Sequence, residues 1–370
     1  MIKKVLITGG AGFIGSHLAD ELIAKGYQVR ALDNLSEQVH GANAQRPDYL
    51  HPEVELVLGD VRDKDTVRTA LADVDAVFHF AAMVGVGQSM YQIQQYTDVN
   101  NCGTAVLLEA LIAQPVQKLI VASSMSIYGE GLYKNAPGNL IHEGERSLGD
   151  LKQQRWDLYD ATGTFIPVPT PEHKKPNLSS VYALSKYDQE KLCLITGKAY
   201  GIPTTALRFF NVYGTRQALS NPYTGVLAIF ASRLLNDNAP MIFEDGLQKR
   251  DFVHVKDVAT ACRLALETPD ADGEVINIGS GNTYTILEIA NALARVMGKN
   301  IAPELTAKYR VGDIRHCFAD LTKARLLLGY EPQVKFEEGL GELANWLENQ
   351  IAVDIVSVAN EELASRGLTV

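Results

Sequence analysis

The stretch TGGAGFIGSHL, residues 8–18, constrains this chain more than any other: a short β-rich run precedes it and a helical one follows. Gly9, Gly12 and Gly15 stand three apart. At this spacing glycines let the backbone turn sharply, approach a pyrophosphate closely and seat a helix on the preceding strand. The helix N-terminus then offers N–H groups and a positive dipole to phosphates. Eighteen residues beyond Gly15, Asp33 ends the next β-rich run, placed to accept hydrogen bonds from both ribose hydroxyls of an adenosine. Its charge repels a 2′-phosphate. No arginine in DNLSE offsets that charge, so the expected dinucleotide is NAD rather than NADP.

The same alternation continues through QVRALD, VELVLGD, DAVFHFAA, QKLIVASS, TTALRFFNVYG and EVINIGS, with amphipathic stretches between. This rhythm predicts an α/β fold: a Rossmann-type doubly wound parallel sheet with a smaller mixed α/β substrate lobe. Residues 1–211 are expected to bind NAD. They carry a polar insertion at 131–178 with five prolines, read either as a cover for a ligand or as a surface excursion. Residues 212–370 form mainly the second lobe, with 250–279 returning to the first. The last thirty residues have helical spacing and an expected surface role.

With 370 residues, 46% of them hydrophobic, the chain can bury a full core. A net charge of −10 argues against nucleic acid as partner, since displacing counterions from phosphates needs a basic field. Four scattered cysteines without a C-x-x-C pair argue against a zinc site or a disulfide scaffold and for a reducing compartment. The apolar run in MIKKVLITGG is too short for a signal peptide, and no stretch is long enough for a membrane span. The expectation is a cytoplasmic protein with neither metal nor membrane partner.

The T-G-x-x-G-x-x-G spacing, GDVRD at 59–63 and HFAA at 79–82 occur in register. On these motifs the chain resembles the extended short-chain dehydrogenase/reductase family from Lys3 to about Trp346. The resemblance implies that Asp60 and Val61 meet adenine and that Phe80, Ala81 and Ala82 lie over the cofactor. Phe13, Ile14 and Asn34 join the cofactor set with the glycines and Asp33. Asn100, in YTDVNNCGT, is placed with them as a support under the catalytic strand, although Asn101 beside it leaves a helix-surface asparagine open. His79 reads as structural rather than as a base.

SSVYALSKYDQEKL sets Tyr182 and Lys186 four apart, on one face of a helix. A nearby ammonium stabilises a phenolate, and lowering a tyrosine pKa by about 3 takes only about 4 kcal/mol. By resemblance, Tyr182 is the acid/base for a sugar hydroxyl, Lys186 tunes it and binds the nicotinamide ribose, and Ser124 hydrogen-bonds the same hydroxyl. FFNVYGTRQ matches the family's R-x-F-N-x-Y-G-P-R segment through Arg208, Phe210, Asn211 and Tyr213, with Thr215 in place of proline. Asn211, Arg250 and Arg310 then fall on a substrate diphosphate, while Asp313 meets a ribose or orients Arg310.

The implied substrate is a nucleotide-diphosphate sugar, and the implied assembly a homodimer. Position 126 separates reactions within the family. Dehydratases and decarboxylases carry glutamate there, because elimination needs an acid near the leaving group. Met125 and Ser126 provide none. Serine fits the 4-epimerases, where it hydrogen-bonds a sugar hydroxyl. MVGVGQSMY, ASSMSIYGEG and NPYTGVLAIFASRLL resemble dTDP-L-rhamnose 4-epimerases more than UDP-galactose 4-epimerases. A 4-reductase or 4-dehydrogenase, a UDP-glucose 4-epimerase and a dinucleotide-sensing scaffold without turnover are the rival readings.

Overall fold

The β-rich runs become seven parallel strands of one sheet in the computed structural model, which describes residues 2–142 and 144–369. They are β1 (Lys4–Thr8), β2 (Gln28–Asp33), β3 (Glu55–Leu58), β4 (Ala76–His79), β5 (Lys118–Ser124), β6 (Thr204–Phe209) and β7 (Val275–Ile278), in the spatial order β7-β6-β5-β4-β1-β2-β3. The sheet is apolar on both faces because each has its own helical layer. Val5 and Ile7 of β1 join Phe78, Ile120 and Leu207 in one core, and Leu6 joins Val77, Leu119 and Ala206 in another. Strand order reverses at β1, between β2 and β4, and in such sheets the crevice beyond the strand ends at that point is where ligands bind.

The helices used below are α1 (Phe13–Ala24), α2 (Lys64–Leu71), α3 (Gly103–Ala113), α4 (Val181–Tyr200), α5 (Val226–Leu235), α6 (Val255–Glu267), α7 (Ile286–Val296), α8 (Phe336–Leu347) and α9 (Val356–Ser365). α1 packs on α6, and α4 lies across β5 and α3. A further core joins Leu227, Phe230 and Leu234 of α5, Ile289 and Leu293 of α7, and Leu340, Leu343 and Leu347 of α8. Among the described residues no helix is long and apolar enough to cross a membrane, and all four cysteines are free thiols.

Two expectations need correction. Among the described residues none of the 131–178 insertion lines the cleft described below, and the insertion is not a plain surface excursion either. Its strands Leu132–Lys134, Leu140–Ile141 and Ile166–Val168 form a small sheet, and Arg146 from it is buried in a charge network. Arg146 pairs with Glu130 at 3.1 Å and Glu244 at 2.6 Å, and donates to the carbonyl of Asp313 at 2.8 Å. Arg315 pairs with Glu244 at 2.9 Å from the other side. The insertion thus braces the segment around residues 310–315 from behind. The C-terminal stretch is likewise more than surface. Val356, Ala359 and Leu363 are buried, the amide of Val311 donates to Leu368 O at 2.9 Å, and Thr369 bridges to Arg310.

One buried ion pair fixes α4 on the sheet. Arg208 of β6 donates through Nε and Nη2 to the two oxygens of Glu190 on α4, at 2.9 and 2.8 Å, and Ser123 of β5 adds a third bond at 2.8 Å. Burial pushes the Glu190 carboxyl up, but the hydrogen bonds and charge of Arg208 outweigh it and hold it below its ordinary value. Arg208→Met leaves the buried carboxylate only Ser123 and the half-exposed Lys191 at 3.4 Å, and should cost about 3 kcal/mol in urea unfolding at neutral pH. The depressed pKa gives the sign with pH. The stability this carboxylate contributes to the wild type is complete above the unfolded glutamate value of about 4.3 and fades as pH falls through the lower folded value.

Candidate active site

A cleft of about 1020 Å³ opens over the C-terminal ends of β1, β2, β4 and β5. Every residue assigned from the sequence to cofactor, substrate or catalysis lines it, with Asn100 as the exception. At the adenosine end, Gly9 sits at φ +71°, a left-handed conformation that glycine tolerates. A Cβ on Gly15 would lie 2.4 Å from Gly9 O, so the first turn of α1 and the loop touch only because residue 15 lacks a side chain. Gly12 is the N-cap of α1 and supplies no capping side chain. Asp33 is anchored by the amides of Ala11 at 3.0 Å and Leu35 at 2.9 Å, one on each oxygen. A second acceptor position on each oxygen is left for ribose hydroxyls. Asp60 is clamped by Arg62 through Nε and Nη2, both at 2.8 Å, and by Asn34 Nδ2 at 3.0 Å. Arg62 draws its pKa down to about 2. The glycine cradle and the anchored acid fit NAD.

Asn100 is buried below the cleft, in the π-helical turn Thr97–Cys102 that leads into α3. Its Oδ1 accepts from Met83 N at 2.7 Å, and its Nδ2 donates to Met83 O at 3.1 Å and Ser185 Oγ at 2.9 Å. It therefore braces the turn after β4 against α4 and does not line the cofactor space, which corrects its grouping with the cofactor residues. The neighbouring Asn101 donates to Asp188 at 2.6 Å instead. His79 is fully buried between Thr8 Oγ1 and Thr104 Oγ1, both at 2.8 Å, with burial drawing its pKa down to about 3.

Alternation along β5 sends Ser123 to Glu190 and leaves Ser124 at the cleft. Ser124 Oγ accepts from the amide of Ser126 at 3.2 Å and from its hydroxyl at 3.0 Å. Both lone pairs are then occupied, so the proton of Ser124 must point elsewhere. The phenol of Tyr182, which also lines the cleft, is pushed up by burial and drawn back by Ser124. Ser126, expected to touch a sugar hydroxyl, is thus first of all the donor that orients Ser124. Ser180 caps α4 through Ala183 N at 3.1 Å, and Ser89 Oγ accepts from Tyr182 N at 3.0 Å, which fixes the tyrosine's backbone. Lys186 directs its ammonium at Gln189 Oε1, 2.7 Å away, and burial lowers its pKa to about 8.

The opposite wall carries Asn211 and two arginines, Arg250 and Arg310. The guanidinium of Arg250 donates to the carbonyls of Lys249 and Arg315, each at 3.0 Å, and to that of Ile314. Burial penalises its charge, and among the described residues no carboxylate pairs with it. A guanidinium stays charged under such conditions, so an anionic ligand repays the penalty. Arg310 is oriented by Oδ1 of Asp313 through Nε at 3.1 Å and Nη2 at 2.7 Å. The buried Oδ1 of Asn211 has no partner. Thr215, replacing the family proline, turns its carbonyl to His17 of α1 at 3.2 Å. Phe243 and Asn360 also line the cleft and carry no motif that marks them in the sequence.

Gly15→Ala forces its Cβ against Gly9 O, an overpacking cost of about 1–3 kcal/mol that falls on the phosphate loop. NAD titrated calorimetrically should bind about tenfold more weakly or worse to this variant.

The chain matches the NAD dependent epimerase/dehydratase family over residues 5–147 and 158–279. It is 35% identical over 353 residues to a dTDP-L-rhamnose 4-epimerase of Burkholderia thailandensis, covering 94% of this chain and 96% of that one. Among solved structures, the UDP-glucose 4-epimerase of Thermus thermophilus in complex with NAD superposes with a TM-score of 0.75 at 33% identity, over 94% of this chain and all of that one. That of Thermotoga maritima with UDP-glucose gives 0.75 at 32%, over 93% and 98%. The glycine cradle, the Ser-Tyr-Lys cluster and this similarity along nearly the whole length lead to one assignment: the chain belongs to the NAD dependent epimerase/dehydratase family and is an NAD-dependent isomerase.

Proposed function

We propose that the chain inverts C4 of a 6-deoxysugar carried on a nucleoside diphosphate, interconverting dTDP-L-rhamnose and dTDP-6-deoxy-L-talose through a 4-keto sugar. The observation that carries this reading is the Ser126–Ser124 hydroxyl pair in the cleft that Tyr182 also lines, with no acid beside it. Among the described residues the carboxylates lining the cleft are Asp33, Glu37 and Asp60 at the adenosine end and Asp313, which is held by Arg310. Elimination and decarboxylation at the sugar lack the acid they need.

The sugar side is also apolar. Met83, Val84 and Val86 line the cleft on the turn that Ser89 ties to Tyr182. The arginines of the lining are Arg62, committed to Asp60, and Arg250 and Arg310 on the far wall. A methyl group at C5 suits such a wall better than a carboxylate does. The similarity to the Burkholderia enzyme supports the same sugar, while the similarity to UDP-glucose 4-epimerases favours a UDP-hexose as the second reading.

In this mechanism residues 1–211 and 250–279 hold NAD, with Gly9, Gly12, Phe13, Ile14 and Gly15 at the pyrophosphate, Asp33 and Asn34 at the adenosine ribose and Lys186 at the nicotinamide ribose. NAD supplies hydride exchange with C4. Tyr182 takes the C4 hydroxyl proton and returns it to the ketone oxygen, while Ser124 hydrogen-bonds that oxygen. Asn211, Arg250 and Arg310 keep the diphosphate anchored as the ketone presents its other face. The remainder of 212–370 shapes the nucleotide end. Four free thiols suit a cytoplasmic setting.

Purified protein incubated with dTDP-L-rhamnose or UDP-galactose, without added coenzyme, should invert C4 of the former faster by NMR. Stoichiometric NADH on adding NAD, with no inversion, would instead identify a dehydrogenase. Tyr182→Phe should lower kcat by roughly 10²–10⁴-fold.

The homodimer belongs to the same reading. Leu184 and Ile195, three turns apart on α4, are 46% and 65% exposed, and Ile112 on α3 is 36% exposed. This stripe of two adjacent helices matches a second copy of itself. Light scattering should give a dimer for the wild type and a monomer for Leu184→Glu/Ile195→Glu.

A further inference from the structure

Beneath the cleft lies a set of polar side chains whose hydrogens can be assigned one by one. Thr8 Oγ1 accepts from the amides of Phe80 and Ala81, both at 3.1 Å, which fills its lone pairs. Its proton must therefore go to His79 Nδ1. The ring then carries its own proton on Nε2 and donates it to Thr104 Oγ1. Thr104 gives its hydroxyl proton to Asn100 O at 2.5 Å, so its oxygen can only accept. The one acceptor place left on Thr104 takes Nε2 of Gln189 at 3.0 Å, and the same amide nitrogen reaches Ala81 O at 3.3 Å. With its NH₂ group committed to two acceptors, Gln189 cannot flip. Its Oε1 is forced toward Lys186 Nζ, 2.7 Å away.

We propose that Gln189 is a positioning residue for the reaction, holding the Lys186 ammonium at the height from which it serves Tyr182 and the nicotinamide ribose. The inference rests on the assignment of Tyr182 and Lys186 as the working pair. The ionisable groups around Lys186 are His79 on β4, Tyr182, Glu190 and Cys193 on α4, and Arg208 on β6. His79 stays neutral because its Nδ1 must accept from Thr8. Burial pushes the Cys193 thiol up to about 12, and Glu190 is saturated by Arg208 and Ser123. None is free to hold the ammonium, and the uncharged acceptor of Gln189 fixes its place without cancelling its charge.

Gln189→Met keeps the length of the side chain and removes the acceptor, whereas Gln189→Glu keeps the acceptor and adds a charge. The readout is an NMR titration of protein labelled with carbon-13 lysine, with the Lys186 signal identified by its loss in Lys186→Met. The expected Lys186 midpoint lies near 8 in the wild type. It rises by about one pH unit or more in Gln189→Glu and falls in Gln189→Met. In parallel, kcat for C4 inversion drops about tenfold in Gln189→Met with KM for the nucleotide-sugar unchanged. Midpoints unmoved in both variants would overturn the proposal. So would wild-type kcat in both while Tyr182→Phe and Lys186→Met abolish turnover, an outcome that leaves the working pair intact. Full turnover by Tyr182→Phe would instead remove the premise that Tyr182 is the acid/base, while the lysine titration still decides whether Gln189 holds Lys186.

Discussion

The catalytic end of this molecule depends on where α4 rests on the sheet, and the bidentate Arg208–Glu190 pair sets that position. Ser123, on the buried side of β5, donates to the same carboxylate. Its neighbour Ser124 faces the cleft and the tyrosine of the same helix. One ion pair thus registers a helix against two strands. The distance between Ser124 and Tyr182 follows from that register rather than from contacts at the reacting atoms. A buried pair of this kind is weak as a source of net stability, yet each partner makes the other indispensable.

A second constraint acts on the facing wall. Arg250 and Arg310 would be poor anion ligands if they were free to swing, because ordering a long side chain costs entropy. Here that ordering is built into the fold. Arg250 is held by three backbone carbonyls and Arg310 by Asp313, whose own carbonyl is held by Arg146 from the insertion. The C-terminal strand-like bridge at Thr369 closes the same loop from outside. The two segments that interrupt the sheet's rhythm therefore share one mechanical task, stiffening residues 310–315 from opposite sides.

Much of this was legible in the sequence, for a physical reason. The glycine loop, the acid at the end of β2 and the Tyr-Lys pair are local patterns whose spacing is dictated by the ligand, so they survive in one dimension. Arg146 is not of that kind. It sits in a polar, proline-containing stretch, and its partners Glu130, Glu244 and Asp313 are scattered over nearly 200 residues, so nothing nearby marks it as buried. Gln189 is hidden differently. On a helix of mixed polarity an amide reads as solvent-facing, and only the packing of α4 against β4 and α3 turns it inward. Asn100 sits below the cleft and bonds Met83 and Ser185, a position hidden in one dimension because the π-helical turn that carries it has no clear signature in YTDVNNCGT.

Ser126 shows how a residue that looks chosen for its contact with substrate can be required first by the protein. Its hydroxyl and amide both go to Ser124, which fills both lone pairs of that oxygen and leaves its proton to donate. A glutamate at position 126 would bring an acid to the sugar, and at the same step it would withdraw the hydroxyl that orients Ser124. A cysteine would donate only weakly in its place. Serine keeps that pair intact and adds no group able to abstract a proton from carbon. In the proposed mechanism, restriction to a single carbon follows from how this strand end spends its hydrogen bonds.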